Sequence, residues 1–332
     1  IYVSFNDGGS WLTLQNNLPH APVHDVVVQE HFNDLVIATY GRGFWILDDV
    51  TPFQQLTDEV LASDAHLFAP RPAYRMHSIK GGPPTPSSAY INYYLGEGVT
   101  GPVELEILDA SGQLVNTVRG SRNVGINRVS WNMRYPGPEQ ARIRTKPPGN
   151  PTVVEEKRFR TRWEREGWIP VLSWGTSGGF SGVRVPPGTY TVRLRAGGET
   201  FTQELEILKD PRSDGTLADI QEMVAMQLEV RDDITTISGM INEIEWMKKQ
   251  INDLLESVGQ RGAAGEIRSE AQALYATLQA LEDKILQPIA VEGDSKSFRF
   301  PNMLYSKMSV LGGDLAQSVD FAPNRQQQEV HE

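Results

Sequence analysis

Carboxylate side chains are the first candidates for chemistry in this chain of 332 residues. Two acidic side chains about 5–10 Å apart across a cleft could cleave a glycosidic bond as an acid and a base. Glu97, Glu104 and Glu106 fall in or beside strand patterns and are explained by the wet face of a sheet. Four further glutamates lie in a basic stretch: Glu155, Glu156, Glu164 and Glu166. No acid/base pair emerges, so the sequence assigns no catalytic residue and leaves the question of an enzyme open.

Histidine and cysteine give little support for a metal centre or a covalent intermediate. His20, His24, Asp25 and His31 are close in sequence, but Pro22 breaks any helical spacing and no acidic cluster follows. The chain has no cysteine, which excludes disulfides, thiolate zinc sites and a cysteine nucleophile. The sequence therefore predicts neither a metal nor another cofactor.

A stretch rich in arginine and tryptophan is the second candidate for a binding site. Basic residues alternate with aromatic ones there, and such a stretch could hold a polyanion or stack on sugar rings. The candidate residues are Arg158, Arg160, Arg162, Trp163, Trp168 and Trp174. The alternative is that residues 134–182 form a long loop packed over a sandwich or against a propeller, with the tryptophans as anchors. The sequence favours this second interpretation.

The overall composition excludes some partners and divides the chain. The formal net charge of −11 makes nucleic acid an unexpected partner, and no run of eighteen apolar residues predicts a membrane span. Residues 209–332 carry 12 basic and 21 acidic side chains, and the prolines and glycines concentrate before them. This shift predicts a β-rich first part and a helical last part.

Residues 1–50 contain four short strand patterns joined by turn residues. The strands fall at residues 1–5, 23–28, 35–39 and 44–47, and a cluster of Asn, Asp and two Gly follows the first. The chain opens inside an apolar strand pattern rather than at a Met, and we expect it to be a C-terminal piece of a longer protein. Closely spaced short strands are typical of a propeller or a sandwich.

The turn after the first strand resembles a known motif. Ser4, Asn6, Gly8, Ser10 and Trp11 are spaced as in Ser-x-Asp-x-Gly-x-Thr-Trp, the Asp-box turn of sialidase-type and sortilin-type β-propellers. Asn6 stands where the motif has Asp, and it can still accept a hydrogen bond from the turn amides. Asp-boxes are structural turns at the propeller periphery, so the resemblance implies no catalytic role.

Residues 22–26 and 38–48 are also similar to the closing segment of bacterial sortilin-like repeat proteins. The resemblance implies that residues 1–50 are the last strands of a β-propeller whose ring is closed by a missing N-terminal portion of the same protein. It also implies an extracellular or periplasmic location. If the protein is a glycoside hydrolase like the related propeller enzymes, the resemblance implies that its active site lies upstream of residue 1.

The middle of the chain predicts a second β domain. Residues 51–88 are predicted to be a connector, and from residue 89 apolar residues alternate with polar ones through six or seven strands. Residues 89–209 resemble an immunoglobulin-like domain of the flagellar-hook-capping type, with the insertion 134–182. The resemblance rests on a "Leu-Asp-Ala-Ser-Gly" hairpin, a "Val-Ser-Trp-Asn" strand and a "Pro-Gly-Thr-Tyr-Thr-Val" strand, and it places Trp131 and Tyr190 in the core.

Residues 213–322 predict an antiparallel helical hairpin or bundle, followed by a polar tail at 323–332. Thr216 begins a capping-box pattern, and Lys248 interrupts an otherwise apolar heptad seam. The seam residues are Val230, Ile234, Ile237, Ile241, Ile244, Ile251, Leu255 and Val258. A second helix repeats the pattern through Ile267, Ala271, Leu274, Leu278, Leu281 and Ile285. The seam could pack within the chain or against another chain, and the sequence favours packing within the chain.

The sequence thus predicts a multidomain protein in which all-β segments, a partial β-propeller and an immunoglobulin-like sandwich, precede an all-α bundle. The preferred function is non-catalytic binding or scaffolding in a secreted sortilin-like repeat protein, with protein contacts or self-association through the bundle. The alternative is an accessory part of a propeller glycoside hydrolase or a carbohydrate-binding protein, with a glycan as ligand. A subunit of a larger assembly is a third class.

Overall fold

The computed structural model describes residues 1–77, 88–171, 182–258, 263–287, 301–317 and 320–331. It is a mixed structure of sheets and helices that divides into two compact units. The first unit contains residues 1–133 and 187–210, and the second contains residues 134–186 and 211–332. Most of the predicted linker at 80–88 lies outside the described residues.

The first unit begins with two small antiparallel sheets. Strands β1 (Tyr2–Val3) and β2 (Leu12–Thr13) form a hairpin, and β3 (Val23–Gln29), β4 (Asp34–Thr39) and β5 (Phe44–Leu47) form a three-stranded sheet in that order. Two short helices follow, α1 (Thr51–Gln54) and α2 (Asp58–Ala62). The four predicted strand patterns are therefore present, and residues 12–13 form a further strand where the propeller resemblance implies one.

The rest of the first unit consists of two facing sheets. Its strands are β6 (Ala65–Leu67), β7 (Ala73–Arg75), β8 (Ala89–Leu95), β9 (Glu104–Leu108), β10 (Leu114–Arg119), β11 (Gly125–Trp131), and then β14 (Gly188–Ala196) and β15 (Glu199–Lys209). One sheet has the order β10-β9-β14-β15-β7, and the other has the order β11-β8-β6. The predicted connector thus gives one strand to each sheet, a role that its short apolar runs did not reveal.

An aromatic pair joins the facing sheets. Trp131 on β11 and Tyr190 on β14 lie with ring centroids 5.9 Å apart at 65°, and both are buried. Alternating side chains of β9 and β14 fill the same core, as period-two burial requires. The prediction that Trp131 and Tyr190 are core residues rather than ligand contacts is confirmed.

The second unit is built around one long helix. Helix α4 (Leu217–Ser257) has 41 residues, and Thr216 and Asp219 form its capping box. Helices α5 (Ala263–Ile285) and α6 (Leu304–Leu315) both pack on α4, and α7 (Arg325–His331) follows. Helix α7 lies in the segment predicted to be a polar tail, and its buried Gln327 donates to Asp314 at 3.0 Å.

The seam of α4 is covered within the chain, as predicted. Its N-terminal half packs on α6, and its C-terminal half packs on α5 through Ile244, Ile251, Ala271 and Leu278. On α5 only part of the predicted repeat is buried. Ile267, Leu274 and Leu281 remain exposed, because α4 covers only one side of α5 at these positions.

The insertion belongs to the helical unit. Its strands β12 (Arg142–Ile143) and β13 (Ile169–Pro170) pair with each other, and helix α3 (Lys157–Glu166) lies between them. Side chains of this segment share one core with α4 and α6: Ala141, Ile143, Val153, Val154, Phe159 and Ile169. We expected the insertion to fold over the sandwich or against the propeller. The structure differs because these scattered apolar residues cover the part of α4 that a single helix neighbour leaves open.

We expect Trp131→Ala to lower the free energy of unfolding of the first unit by about 3–5 kcal/mol, since it removes a fully buried ring. Trp11→Ala is the matched control because Trp11 is 61% exposed, and it should change stability by less than about 0.5 kcal/mol. Urea denaturation followed by near-ultraviolet circular dichroism measures both. Equal losses in the two variants would contradict the assignment of Trp131 to the core.

Candidate functional site

The turn between β1 and β2 is held by its own side chains. Asn6 Oδ1 accepts the Ser10 amide at 2.8 Å, and Ser4 Oγ accepts the Gly8 amide at 2.8 Å. Gly8 has φ +87°, a region that favours glycine. These are the contacts expected of a side-chain acceptor at the third position. Trp11 lies against Gly8 and is otherwise exposed, so within this chain it does not pack between neighbouring strands.

The β3–β5 sheet carries an exposed apolar surface. Val26, Val27 and Val28 are consecutive and all exposed, so both faces of the strand present valine to solvent. Phe44 is 78% exposed, and Ile46 is exposed beside it on β5. We call this surface, together with Trp11, the N-terminal apolar surface. Exposed apolar residues concentrated on one small sheet indicate an interaction site.

Buried Asp49 connects this sheet to the rest of the first unit. Its side chain accepts Asn92 Nδ2 at 3.0 Å and Thr51 Oγ1 at 2.5 Å, and Arg71 lies 3.8 Å away. The guanidinium of Arg128 donates to the Asp48 and Asp49 carbonyls. The sheet is therefore held by charge-assisted hydrogen bonds at its C-terminal end.

The arginine- and tryptophan-rich stretch is a helix rather than an extended loop. On α3, Phe159 and Trp163 lie four residues apart and face the core, whereas Arg158, Arg162 and Arg165 share another face. The three arginines line a cavity of about 340 Å³. Arg160 does not join them, because it donates to the Glu155 carbonyl at 2.7 Å.

Trp168 is held between two arginines. The guanidinium carbons of Arg142 and Arg162 lie 4.8 Å and 4.7 Å from its ring centroid. Arg158 pairs with Glu156 at 2.8 Å, and Arg162 pairs loosely with Glu166 at 3.8 Å. Arg165 makes no hydrogen bond or ion pair with any described residue. Of the six candidates in this stretch, Trp174 lies outside the described residues.

The carboxylates that the sequence offered do not meet in a cleft. Glu106 accepts Arg193 at 3.2 Å and Arg195 at 3.1 Å across neighbouring strands. In the part of the chain that the structure describes, there is no group of three His, Asp or Glu that could hold a metal ion. The rings of His24 and Tyr40 stack, with centroids 5.4 Å apart.

A buried charge cluster in the second unit was not predicted, although Lys248 marked its position in the seam. Lys248 Nζ donates to Glu245 Oε1 at 2.7 Å and to Glu282 Oε2 at 2.5 Å, and all three residues are buried. Glu245 also accepts the Thr145 amide at 2.7 Å, the Thr145 hydroxyl at 2.8 Å and the Arg144 amide. We call Glu245, Lys248 and Glu282 the buried trio. The sequence alone could not reveal the buried trio, since no local sequence pattern connects Glu245 on α4 to Glu282 on α5.

The buried trio contains two acids and one base, and this composition determines its protonation. Burial, and then the nearby charge of Glu245, raise the pKa of Glu282 to about 8. Burial alone would lower the pKa of Lys248, but the two carboxylates more than offset this effect and raise it. At neutral pH the trio therefore holds one extra proton on Glu282 and carries no net charge.

Comparisons with known proteins add little. No protein-family model and no curated protein matches the sequence. Two solved structures of Salmonella alpha-2-macroglobulin, a Y1175G mutant and a form reacted with methylamine, match 52% of this chain at 15% and 16% identity. Their TM-scores are 0.21 and 0.22, and the match spans 8% of the length of those chains. Among the described residues, no helix is both long and apolar enough to cross a bilayer.

The trio predicts a pH dependence of stability. The pKa of Glu282 is about 8 in the folded chain and near 4.5 when exposed, so its contribution is fully present below pH 4.5 and is lost as the pH rises to 8. We expect this loss to be on the order of 2–4 kcal/mol for the second unit. Glu282→Gln should abolish most of it, because the amide does not titrate.

Urea denaturation at pH 5, 7 and 9, followed by the helical circular dichroism band, measures this loss. Glu270→Gln, on the exposed side of the same helix, is the matched control and should keep the wild-type pH dependence. An unchanged pH dependence in Glu282→Gln would contradict the assignment of the proton to Glu282.

Proposed function

We propose that this chain is a non-catalytic binding and scaffolding region of a secreted, sortilin-like repeat protein of the extracellular space or the periplasm. The observation that carries the proposal is the N-terminal apolar surface. In this proposal the strands of residues 1–48 are part of a β-propeller, and the two facing sheets form an immunoglobulin-like domain. The occupant of the surface is the propeller portion that the resemblance places before residue 1.

The exposure of both faces of the β3–β5 sheet supports this proposal. In a propeller each blade packs its two faces against two neighbouring blades, so a blade without its neighbours exposes apolar side chains on both sides. Val26, Val27 and Val28 on β3 and Phe44 on β5 have this exposure. A sheet at the surface of a complete domain would instead present polar residues on its outer face.

The way the sheet is held also favours docking over chemistry. Asp49, Asn92 and Arg128 fix its C-terminal end to the rest of the first unit. An ordered surface loses little conformational entropy when a partner binds, which increases affinity. Within the described residues the same surface brings no pair of carboxylates together, so the glycosidase alternative gains no support from it.

Co-expression with the polypeptide encoded upstream of residue 1 tests the proposal. We expect the two polypeptides to co-purify, and Phe44→Ser with Ile46→Ser to reduce the recovered complex at least tenfold by removing apolar contacts. Val124→Ser is the matched control, since Val124 is 61% exposed elsewhere in the first unit. The proposal fails if no complex forms or if Val124→Ser weakens it equally.

A second candidate function is the binding of an acidic sugar or a related carboxylated glycan at α3. Five basic residues against two acidic ones give this helix a positive charge in a chain of net charge −11. Arg165 lines the cavity with Arg162, has no ion-pair partner among the described residues and can bind a carboxylate, and the Trp168 ring stacks on Arg162. This is the carbohydrate-binding alternative, with its ligand narrowed to anionic glycans.

A glycan array that contains matched acidic and neutral sugars tests this candidate. We expect binding to acidic glycans, at least tenfold weaker in Arg165→Ala and Trp168→Ala. Lys157→Ala, on α3 but outside the cavity, should bind as the wild type does. Trp163→Ala is a poor test because Trp163 packs on the core. An array without signal, or equal binding of neutral sugars, would remove the candidate.

A further inference from the structure

The hairpin of α4 and α5 carries a second apolar surface in regular rows. On α5, Ile267, Leu274 and Leu281 are 47%, 53% and 46% exposed, and each is seven residues from the next. On α4, Met240, Met247 and Leu254 are 48%, 43% and 42% exposed, again at intervals of seven. A heptad interval drifts only about 20° around a helix, so each set forms a row along its helix.

The two rows lie on the same side of the hairpin. Each row is rotated by roughly 70° from the line where its helix contacts the other, in the same rotational sense. The contact lines are Ile244, Lys248 and Ile251 on α4 and Ala271, Leu278 and Glu282 on α5. Because α4 and α5 run antiparallel, the same sense of rotation puts both rows on one face.

The register of the hairpin interleaves the two rows. Arg268 Nη2 donates to the carbonyls of Leu255 and Val258, and Lys248 binds Glu282. In this register Leu254 lies between the levels of Ile267 and Leu274, and Met247 lies between the levels of Leu274 and Leu281. The six side chains form one apolar face, which we call the hairpin face.

The rest of the second unit covers another side of α4. Glu245, which the Thr145 and Arg144 amides contact, points roughly 160° away from the exposed row around the helix. The described residues of the insertion therefore leave the hairpin face uncovered. The six residues that compose it contain no charge, and uncharged apolar rows at heptad spacing are the pattern of a helix–helix interface.

We propose that the hairpin face is a dimerisation surface, occupied by the hairpin face of a second copy of this chain. The two copies pack face to face as a four-helix bundle. This proposal goes beyond the proposed function and does not rest on it, because the N-terminal apolar surface has no part in it.

The area and shape of the face fit a second copy. From the exposed fractions, the six side chains present about 550 Å² per chain, so two copies bury slightly more than the roughly 1,000 Å² that a specific interface needs. Two parallel rows of equal length are self-complementary, as an isologous twofold contact requires.

The flanking charges also permit this pairing. The next positions outward are Thr236, Glu243 and Gln250 on α4, and Glu270, Thr277 and Lys284 on α5. When α4 of one copy faces α5 of the other in the register above, Glu243 lies between the levels of Thr277 and Lys284, and Gln250 lies between the levels of Glu270 and Thr277. No like charges oppose each other across the interface.

Sedimentation equilibrium of the full chain between 1 and about 100 µM tests the proposal, over a concentration range in which interfaces of this size associate. We expect a concentration-dependent dimer, and Met247→Glu with Leu274→Glu should raise its Kd at least about 100-fold by burying carboxylates against apolar rows. Leu217→Glu is the matched control, since Leu217 is 48% exposed on α4 away from the face. A wild-type chain that stays monomeric, or a dimer equally weakened by Leu217→Glu, overturns the proposal.

Two further experiments separate this surface from the N-terminal one. Phe44→Ser with Ile46→Ser should leave the dimer intact, and loss of the dimer in that variant would overturn the assignment to the hairpin face. Because the chain has no cysteine, a mixture of Met247→Cys chains and Leu281→Cys chains provides one thiol on each of two facing helices. Mild oxidation of this mixture should give a disulfide-linked dimer of the two variants, and none when Leu114→Cys on β10 replaces Leu281→Cys, and the reverse result would contradict the proposal.

Discussion

A 41-residue helix needs apolar cover along its whole length, and this requirement organises the second unit. Helix propensity leaves an isolated helix marginal in water, so packing must stabilise α4. Three elements provide the cover, with α6 on the N-terminal half of α4, α5 on its C-terminal half, and the insertion beside them. The capping box of Thr216 and Asp219 fixes where the helix begins.

Local patterns in the sequence predicted most of these elements. The heptad spacing predicted α4 and α5, and the period-two alternation predicted β9, β11 and β14. The placement of the insertion could not be predicted, because its apolar residues, such as Val153, Phe159 and Ile169, follow no single period. Basic and aromatic residues alternating over Arg158–Trp163 suggested a loop, whereas helical geometry separates them onto two faces.

The candidate sites differ in how much of each could be predicted from the sequence. The turn at Ser4–Trp11 could be read from its residue types, because its hydrogen bonds are local. The buried trio could not, since Glu282 is 34 residues from Lys248 and only the hairpin brings them together. The sequence also did not show which apolar residues of the helices would remain exposed. Ile267 and Ala271 both belong to the predicted apolar stripe of α5, and only the direction of the neighbouring helix makes one exposed and the other buried.

The buried trio and the hairpin face are physically connected. An apolar seam such as Ile244, Ile251, Ala271 and Leu278 tolerates a shift of one heptad, because each apolar level resembles the next. Lys248 removes that freedom, since a shifted α5 would carry Glu282 away and leave buried Lys248 without one of its two hydrogen-bond partners, at a cost of about 1–3 kcal/mol. The trio therefore contributes to the specificity of the register. The same register determines how the exposed rows of α4 and α5 interleave, so the continuity of the apolar face depends on a charge cluster on the inner side of the hairpin.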